Sequence, residues 1–240
     1  MIVISDLYKK FGKLEVLKNI NLTFNKGECI ALIGPNGCGK TTLIKSILGM
    51  VIPDNGEIQV QGKSICNNYE YRSNIGYMPQ IGRYPDNMSI GAVCEMIKQI
   101  RNSRNKLDEV LINEFKLNEI LGKHMRTLSG GTTQKVSAVI AFLFNADILI
   151  LDEPTAGLDP LASELFKEKI TSEKQKGKLI LITSHLLSEL DDLVTQVVFM
   201  QEGIVHFHKT ILELKTDTGE DKISKAIATI LKNKNNEKNS

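Results

Sequence analysis

The hydrophobic and polar positions in the first quarter of the chain predict β-strands around a single early helix. MIVISDLY (1–8) and NINLTF (19–24) alternate apolar and polar residues, which is typical of half-buried antiparallel strands. ECIALIG (28–34) is apolar almost throughout, as expected of a strand that is buried on both faces. TTLIKSILGM (41–50) spaces its apolar residues as a helix does, and PDNGEIQVQGKSI (53–65) predicts a short strand between two turns.

Helical spacing replaces this alternation in the middle of the chain. IGAVCEMIKQI, KLDEVLINEF and TTQKVSAVIAFLF place apolar residues three or four apart, which predicts helices with few strand signals between them. Afterwards strands are expected at residues 147–151, 178–183, 196–200 and 204–208, and helices at residues 161–170, 186–193 and 221–232. The pattern therefore predicts an α/β core, with a mostly parallel sheet, that a helical insert interrupts.

These changes of pattern divide the chain into four segments. Residues 1–80 are expected to form the N-terminal part of the core, including an antiparallel β subdomain, and residues 81–145 the inserted helical subdomain. Residues 146–217 complete the core, and residues 218–240 form a C-terminal helix followed by a polar tail rich in lysine and asparagine.

Composition removes several classes of protein. The 240 residues are 42% hydrophobic and 24% charged, which is ordinary for a globular protein, and the net charge of +2 gives no reason to expect a nucleic-acid partner. No apolar stretch approaches the roughly 20 residues of a membrane-spanning helix, and no signal peptide is recognisable. The scattered cysteines lack a C-x-x-C pair, so we expect a reducing compartment and neither disulfides nor a zinc site. They are Cys29, Cys38, Cys66 and Cys94.

GPNGCGKT, residues 34–41, fits the phosphate-loop pattern G-x-x-x-x-G-K-[ST] and lies between a predicted strand and a predicted helix. Glycines let backbone N–H groups cradle phosphate oxygens at the start of that helix. Lys40 is expected to hold the β- and γ-phosphates, and Thr41 to bind Mg²⁺. The residues predicted to contact the nucleotide here are Gly34, Pro35, Asn36, Gly37, Cys38, Gly39, Lys40, Thr41 and Thr42.

Polar residues follow three other predicted strands. Asp152 and Glu153 come after ILIL, where the first suits a water-mediated contact with Mg²⁺ and the second suits the polarising of an attacking water. Gln80 follows IGYMP and His185 follows KLILITS. If these strands are parallel, all of these groups and the phosphate loop meet at one edge of one sheet, where open α/β folds bind ligands.

An aromatic residue near the start of the chain is a candidate for stacking on the nucleotide base. Phe11, in KKFGKLEV, offers a π face that suits adenine, although it could equally pack within a hairpin, and Tyr8 is a competing candidate.

TLSGGTTQKV, residues 127–136, begins a helix in an unusual way. Two glycines stand where each costs roughly 1 kcal/mol of helix stability relative to alanine. They also leave backbone N–H groups open to a ligand, so the chain has a second helix start suited to an anion.

These motifs resemble those of the nucleotide-binding subunits of ATP-binding cassette (ABC) transporters. GPNGCGKTT, YMPQ, LSGGTTQK, ILILDEPTAGLD and ITSH occur in the family's order and at its spacing, and the resemblance covers roughly residues 1–215. It implies a P-loop NTPase core and an ATP hydrolase that uses ATP and Mg²⁺. It also implies a partner ATPase subunit, expected to be a second copy, and an integral membrane permease on whose cytoplasmic face the protein lies peripherally.

The resemblance gives the second helix start a role. In this family two subunits pair head to tail, and each ATP lies between the phosphate loop of one subunit and the signature helix of the other. Ser129, Gly130 and Gly131 would therefore meet the γ-phosphate of the nucleotide that the partner holds. Because ADP lacks that phosphate, hydrolysis would weaken the dimer.

Further roles follow from matching positions. Phe11 matches the aromatic residue that stacks on adenine, and Glu153 matches the catalytic glutamate. Gln80 matches the glutamine that senses Mg²⁺ and the attacking water. Asp159 matches a loop that contacts the opposite subunit, and His185 matches the histidine that contacts the γ-phosphate.

One position departs from the family. The signature usually reads L-S-G-G-Q, whereas Thr132 stands at the position of the glutamine, so any contact of that amide is in doubt, with Gln134 a candidate to compensate. Within the family, the stretch from TLSGG to DPLASE is similar to ATPases that serve separately encoded, exporter-like permeases. It is most similar to the ATPase of the copper-processing system that matures nitrous oxide reductase.

Two other functions compete with this one. Cassette ATPases of DNA repair or translation act without a permease, but they usually carry two cassettes, long coiled coils or zinc modules, none of which is recognisable here. GTPases read guanine with N-K-x-D after the phosphate loop, whereas NKGE at residues 25–28 precedes it and lacks the aspartate. A small-molecule kinase would likewise leave LSGG without a role.

Overall fold

A computed structural model describes residues 1–101, 107–184 and 193–238. The chain divides into two compact units. The first unit comprises residues 1–66 and 183–240, and the second comprises residues 67–182. The four-segment division expected from the sequence follows different boundaries and stays a prediction.

The first unit contains an antiparallel sheet. Its strands are β1 (Ile2–Phe11), β2 (Leu14–Phe24), β4 (Asn55–Val60) and β5 (Lys63–Ser64), in the order β2-β1-β4-β5. β1 pairs antiparallel with both β2 and β4, and its inward residues Ile2, Ile4 and Leu7 are buried. The alternation of apolar and polar residues in β1 and β2 thus predicted these strands correctly.

The first unit also contains a parallel pair of strands and the first helix. β3 (Cys29–Ile33) is buried at all five residues, as its continuous apolar run predicted, and pairs parallel with β9 (Gln196–Gln201). β10 (Ile204–Thr210) returns antiparallel to β9, which gives the order β10-β9-β3. Helix α1 (Lys40–Ile47) begins seven residues after β3 and buries Leu43, Ile44 and Ile47.

Two helices follow β10. α6 (Ile211–Thr218) was not predicted, although Thr210 and Glu213 form the capping box that marks such a start. α7 (Ile223–Lys238) was predicted, and Ile223 and Ile227 on its apolar face are buried. The predicted helix at 186–193 falls almost entirely outside the described residues.

The second unit combines parallel strands with the predicted helices. β6 (Ile75–Met78) pairs parallel with β7 (Ile148–Asp152), and β8 (Leu179–Thr183), whose first four residues close this unit, gives the order β8-β7-β6. The helices are α2 (Ile90–Arg101), α3 (Val110–Glu114), α4 (Gly130–Phe142) and α5 (Pro160–Gln175). The α/β class with an antiparallel N-terminal sheet is therefore confirmed.

No helix in the part of the chain that the structure describes combines the length and the apolar character needed to cross a bilayer.

A buried cluster of charges stabilises the second unit at α5. The carboxylate of Glu173 is fully buried, and the ammonium groups of Lys169 (2.9 Å), Lys176 (2.7 Å) and Lys178 bind it. Lys169 also contacts Asp108 at 2.5 Å. Burial alone raises the pKa of Glu173, but hydrogen bonds from Lys176, Lys178 and Lys169 outweigh it and lower the pKa to about 2.

Replacing Glu173 with glutamine should lower the free energy of unfolding by about 3 kcal/mol at pH 7, because it leaves buried ammonium groups without their anion. The pKa of about 2 in the folded state lies below the ordinary value of 4.5, so the carboxylate stabilises the fold fully above pH 4.5. The difference between wild type and variant should then shrink as the pH falls towards 2. Denaturant unfolding at several pH values measures it.

Glu164→Gln provides the matched control on the same helix. Glu164 is exposed and pairs with Lys167 three residues away, so its loss should cost less than about 0.5 kcal/mol at any pH. Equal losses for the two variants would show that the buried cluster contributes no more than a surface pair.

Candidate functional site

The phosphate loop lies between β3 and α1 in the first unit and requires glycine at two positions. Gly34 (φ 150°) and Gly39 (φ 106°) adopt backbone conformations that favour glycine. A Cβ at Gly34 would lie 2.0 Å from the carbonyl oxygen of Met200, and a Cβ at Gly39 would lie 2.7 Å from that of Val16. The loop backbone therefore packs closely on its surroundings and presents its N–H groups at the start of α1.

Lys40 turns back into the loop that precedes it. Its side chain is buried, and Nζ donates hydrogen bonds to the carbonyl oxygens of Gly34 (2.7 Å) and Pro35 (3.1 Å) and approaches Sγ of Cys38 at 3.7 Å. These partners are neutral, whereas phosphate oxygens are anionic and bind an ammonium group more strongly. The loop thus holds a positive charge where an entering phosphate can replace carbonyl oxygens as its partner.

The remaining residues of the loop differ in exposure. Pro35, Asn36, Gly37 and Thr41 are exposed, and Thr42 is half-buried. The Thr41 hydroxyl is thus accessible at the first turn of α1, as binding of Mg²⁺ would require. Each of these contacts with ATP or Mg²⁺ stays a prediction.

Phe11 ends β1 and is 51% exposed, whereas Tyr8 is half-buried. The ammonium group of Lys9 lies 5.3 Å from the centroid of the Phe11 ring and also pairs with Asp54 at 2.9 Å. A broad part of the Phe11 ring is therefore open to a planar ligand, which favours Phe11 over Tyr8 as the stacking residue.

Two predicted catalytic residues meet in the second unit. Gln80 and Glu153 follow the neighbouring parallel strands β6 and β7, and Nε2 of Gln80 donates a hydrogen bond to Oε2 of Glu153 at 2.8 Å. Glu153 has a φ of 50°, an uncommon conformation for glutamate that turns the chain sharply after the strand. The sequence predicted that both residues follow buried strands and would meet if those strands are parallel, and the structure pairs the two strands and brings the side chains together.

Asp152 is the last residue of β7 and is only 4% exposed. Burial, and then the charge of Asp152, raise the pKa of Tyr77 to about 12, so this phenol stays neutral beside the carboxylate at neutral pH. Asp152 is thus a buried carboxyl group at the end of a strand, and it is followed by the half-buried Glu153, which the exposed Gln80 contacts. These oxygen donors are of the kind that Mg²⁺ prefers.

The signature helix α4 begins with Ser129 as its N-cap. Oγ of Ser129 accepts a hydrogen bond from the backbone N–H of Thr132 at 3.3 Å. A Cβ at Gly131 would lie 2.6 Å from the carbonyl oxygen of Gly157, whereas nothing lies within 4 Å of a Cβ at Gly130. The second glycine is therefore required by packing, and the first leaves space on the open side of the helix start.

Two side chains of α4 bind the loop that follows Glu153. Nε2 of Gln134 donates to the carbonyl oxygen of Glu153 at 3.4 Å, and Nζ of Lys135 pairs with Asp159 at 2.6 Å. Asp159 also caps α5 by accepting from the N–H of Ala162, and the Lys135 ammonium is the main reason that its pKa is lowered. Gln134 thus binds the backbone that follows β7, and that it compensates for the glutamine that Thr132 replaces stays a prediction.

Sequence reasoning missed Lys135, because no local pattern indicates a pair 24 residues apart. It also missed the packing role of Gly131.

His185 lies outside the described residues. That the phosphate loop and the carboxylates act on one nucleotide stays a prediction.

Comparison with known proteins identifies similar sequences. A family model described as ABC transporter matches residues 17–156. The Nod factor export ATP-binding protein I of Burkholderia lata is 33% identical over 206 residues, which cover 82% of this chain and 67% of that protein. The lantibiotic transport ATP-binding protein SrtF of Streptococcus pyogenes is 33% identical over 221 residues, covering 92% and 93% of the two chains.

Solved structures share the fold. The ATP-binding subunit of an ABC transporter superposes with a TM-score of 0.87 at 28% identity, over 95% of this chain and 98% of the other. A dimeric ATP-binding cassette in a post-hydrolysis state, bound to ADP and Pi, gives a TM-score of 0.76 at 22% identity over 88% and 98% of the chains.

Proposed function

Since this chain belongs to the ABC transporter family, as an ATP-binding subunit that hydrolyses ATP, we propose that two copies pair head to tail around two ATP molecules and drive a separate membrane permease. The observation that carries this proposal is the second helix start. Ser129 is exposed, Gly130 is open, and the phosphate loop already supplies one complete anion site in the first unit. A second anion-binding helix start, at α4, has a role if it binds the nucleotide that the partner holds.

In this proposal the phosphate loop binds the α-, β- and γ-phosphates through its backbone N–H groups and Lys40. Phe11 stacks on adenine. The hydroxyl of Thr41 and the oxygens of Gln80 and Asp152 hold Mg²⁺, directly or through water. Mg²⁺ supplies neutralisation of phosphate charge when it is bound.

Hydrolysis then depends on Glu153. Its carboxylate accepts a proton from the attacking water, while Gln80, hydrogen-bonded to the same carboxylate, fixes its orientation. We infer that His185 contacts the γ-phosphate. Loss of the γ-phosphate removes the ligand of the partner's Ser129, so the dimer opens after hydrolysis.

The permease is proposed to dock at a groove of about 500 Å³ in the second unit. The hydroxyl of Tyr84 binds Oγ of Ser137 at 3.0 Å and fixes one wall of the groove on α4. The lining residues are Gly82, Arg83, Tyr84, Pro85, Asp86, Met125 and Thr133. This loop follows Gln80 directly, so a docked permease would touch the chain beside the nucleotide-sensing glutamine.

The cargo is proposed to leave through an exporter-like permease with the ATPase on the cytoplasmic face of the membrane. The names of relatives that serve Nod factor export, lantibiotic transport and, in the rat, phospholipid transport support this proposal. The alternative is the copper-processing type, which the stretch from TLSGG to DPLASE favours.

Affinity purification from detergent-solubilised membranes of the native host tests the permease. Wild-type chain should retain an integral membrane protein with several spans, and the double variant Arg83→Glu/Asp86→Lys should lose it, because both exposed charges line the groove. Lys116→Glu/Glu119→Lys, an exposed pair outside the groove lining, is the matched control. Recovery of soluble partners alone, or equal recovery by all three baits, would contradict the proposal.

A further inference from the structure

In the described part of the chain, two helices begin with a hydroxyl residue followed three positions later by a second polar side chain. At α6 the box is complete: Thr210 Oγ1 accepts from the N–H of Glu213 at 3.1 Å, and Oε2 of Glu213 accepts from the N–H of Thr210 at 2.7 Å. Oε2 also lies 2.8 Å from Thr210 Oγ1, so the carboxylate takes the hydroxyl hydrogen of the N-cap residue.

At α4 the corresponding residues are Ser129 and Thr132. The first half of the box is present, because Ser129 Oγ accepts from the N–H of Thr132. A glutamine at this third helical position can reach back to the backbone N–H of the N-cap residue. Thr132 instead places its own hydroxyl 2.9 Å from Ser129 Oγ.

In this pair either hydroxyl can donate the hydrogen bond, whereas a carboxylate, as at α6, can only accept one. A serine oxygen accepts two hydrogen bonds and donates one. If the hydroxyl of Thr132 donates, the N–H and O–H of Thr132 fill both acceptor sites of Ser129 Oγ. The hydroxyl hydrogen is then the one hydrogen-bonding group of Ser129 Oγ that is left for a ligand.

We propose that Thr132 is a positioning residue that orients the hydroxyl hydrogen of Ser129 towards the γ-phosphate of the partner's ATP. This inference rests on the proposed head-to-tail dimer. Thr132 has two favoured rotamers in a helix, and the one that it adopts places its hydroxyl beside that of Ser129. In place of the usual glutamine, Thr132 thus orients the hydroxyl group of Ser129 that binds the phosphate.

Dimer formation in a Glu153→Gln background measures the effect. Thr132→Val removes the hydroxyl but keeps the shape and the backbone N–H, so ATP-dependent dimerisation should weaken about 25-fold, roughly fivefold for each of the two sites. Thr132→Ser keeps the hydroxyl and should stay within about twofold of the parent. Thr171→Val, at a half-buried threonine of α5 that has no part in the proposed sites, should leave the dimer unchanged.

Two further measurements separate positioning from structure. Binding of a fluorescent ATP analogue to the monomer and the thermal unfolding midpoint should be equal for Thr132→Val and its parent, because the cap of α4 is kept. A lower midpoint, an equal weakening of the dimer by Thr171→Val, or normal dimerisation of Thr132→Val would overturn the inference.

Ser129→Ala shows which level fails. If it abolishes dimerisation while Thr132→Val has no effect, the dimer stands and the positioning role is wrong. If Ser129→Ala dimerises normally, the proposed sandwich itself is wrong.

Discussion

Replacing Glu153 with glutamine should slow ATP turnover about a thousandfold while ATP still binds. The carboxylate lies at the end of β7 beside the amide of Gln80, where it can accept the proton of an attacking water, and removal of a general base typically costs two to four orders of magnitude. Glutamine has the same shape and retains the φ of 50°, so the backbone turn should persist. Phosphate release under saturating ATP measures the change.

The same variant should accumulate as an ATP-bound dimer. Slow hydrolysis keeps the γ-phosphate in place, and that phosphate is the proposed ligand of the partner's Ser129. Size-exclusion chromatography with light scattering, with and without ATP, distinguishes dimer from monomer. A variant that stays monomeric at saturating ATP would contradict the sandwich, and undiminished turnover would remove Glu153 from the mechanism.

Asp147→Asn is the matched control for Glu153→Gln. Asp147 precedes β7, so it lies at the opposite end of the strand that carries Asp152. Its amide should leave turnover within about twofold of wild type. A similar loss from both substitutions would mean that the fold of this strand, rather than the carboxylate after it, had been damaged.

Sequence predicted most of the fold because its strongest signals are local. The apolar run 29–33 specifies a strand buried on both faces, and the glycines and lysine that follow it specify a helix start. α6 was missed although its signal, a threonine followed three residues later by a glutamate, is equally local. The sequence contained that information, and only its interpretation failed.

Other features could not be predicted because they depend on distant chain segments. The motif indicates that Gly131 binds a ligand, yet the structure shows that a side chain at this position would collide with the carbonyl oxygen of Gly157. Lys135 has no periodic or motif signal that marks Asp159 as its partner. The same applies to Glu173, which composition alone would place on the surface, and which three lysines keep ionised at neutral pH in spite of its burial.

Glycine 34 and Lys40 show how the two kinds of information combine. The motif identifies both residues, but only the structure shows that the ammonium group binds the carbonyl oxygen of Gly34 while that glycine packs on Met200. The position of the ammonium group thus depends on the contact between Gly34 and Met200, which is distant in sequence, and no motif encodes that contact.

Replacing Lys40 with alanine should weaken ATP binding by at least about a hundredfold. The ammonium group contributes charge-assisted hydrogen bonds to the phosphates, each worth roughly 1.5–3 kcal/mol, and 2.7 kcal/mol corresponds to about a hundredfold in Kd. Equilibrium titration with a fluorescent ATP analogue measures it. Lys45→Ala, on the exposed side of the same helix, should leave affinity within about twofold.

Alanine also removes a buried stem, so Lys40→Met separates charge from packing. Methionine fills much of the same space without a charge, and it should restore the thermal midpoint but not the affinity. If Lys40→Met binds ATP as wild type does, the ammonium group has no part in phosphate binding and the phosphate-loop assignment fails. If both variants lose affinity while only alanine loses stability, ATP binding depends on the charge of Lys40. Water can then replace the ammonium group as the partner of the loop carbonyl oxygens, but it cannot replace a positive charge beside a phosphate.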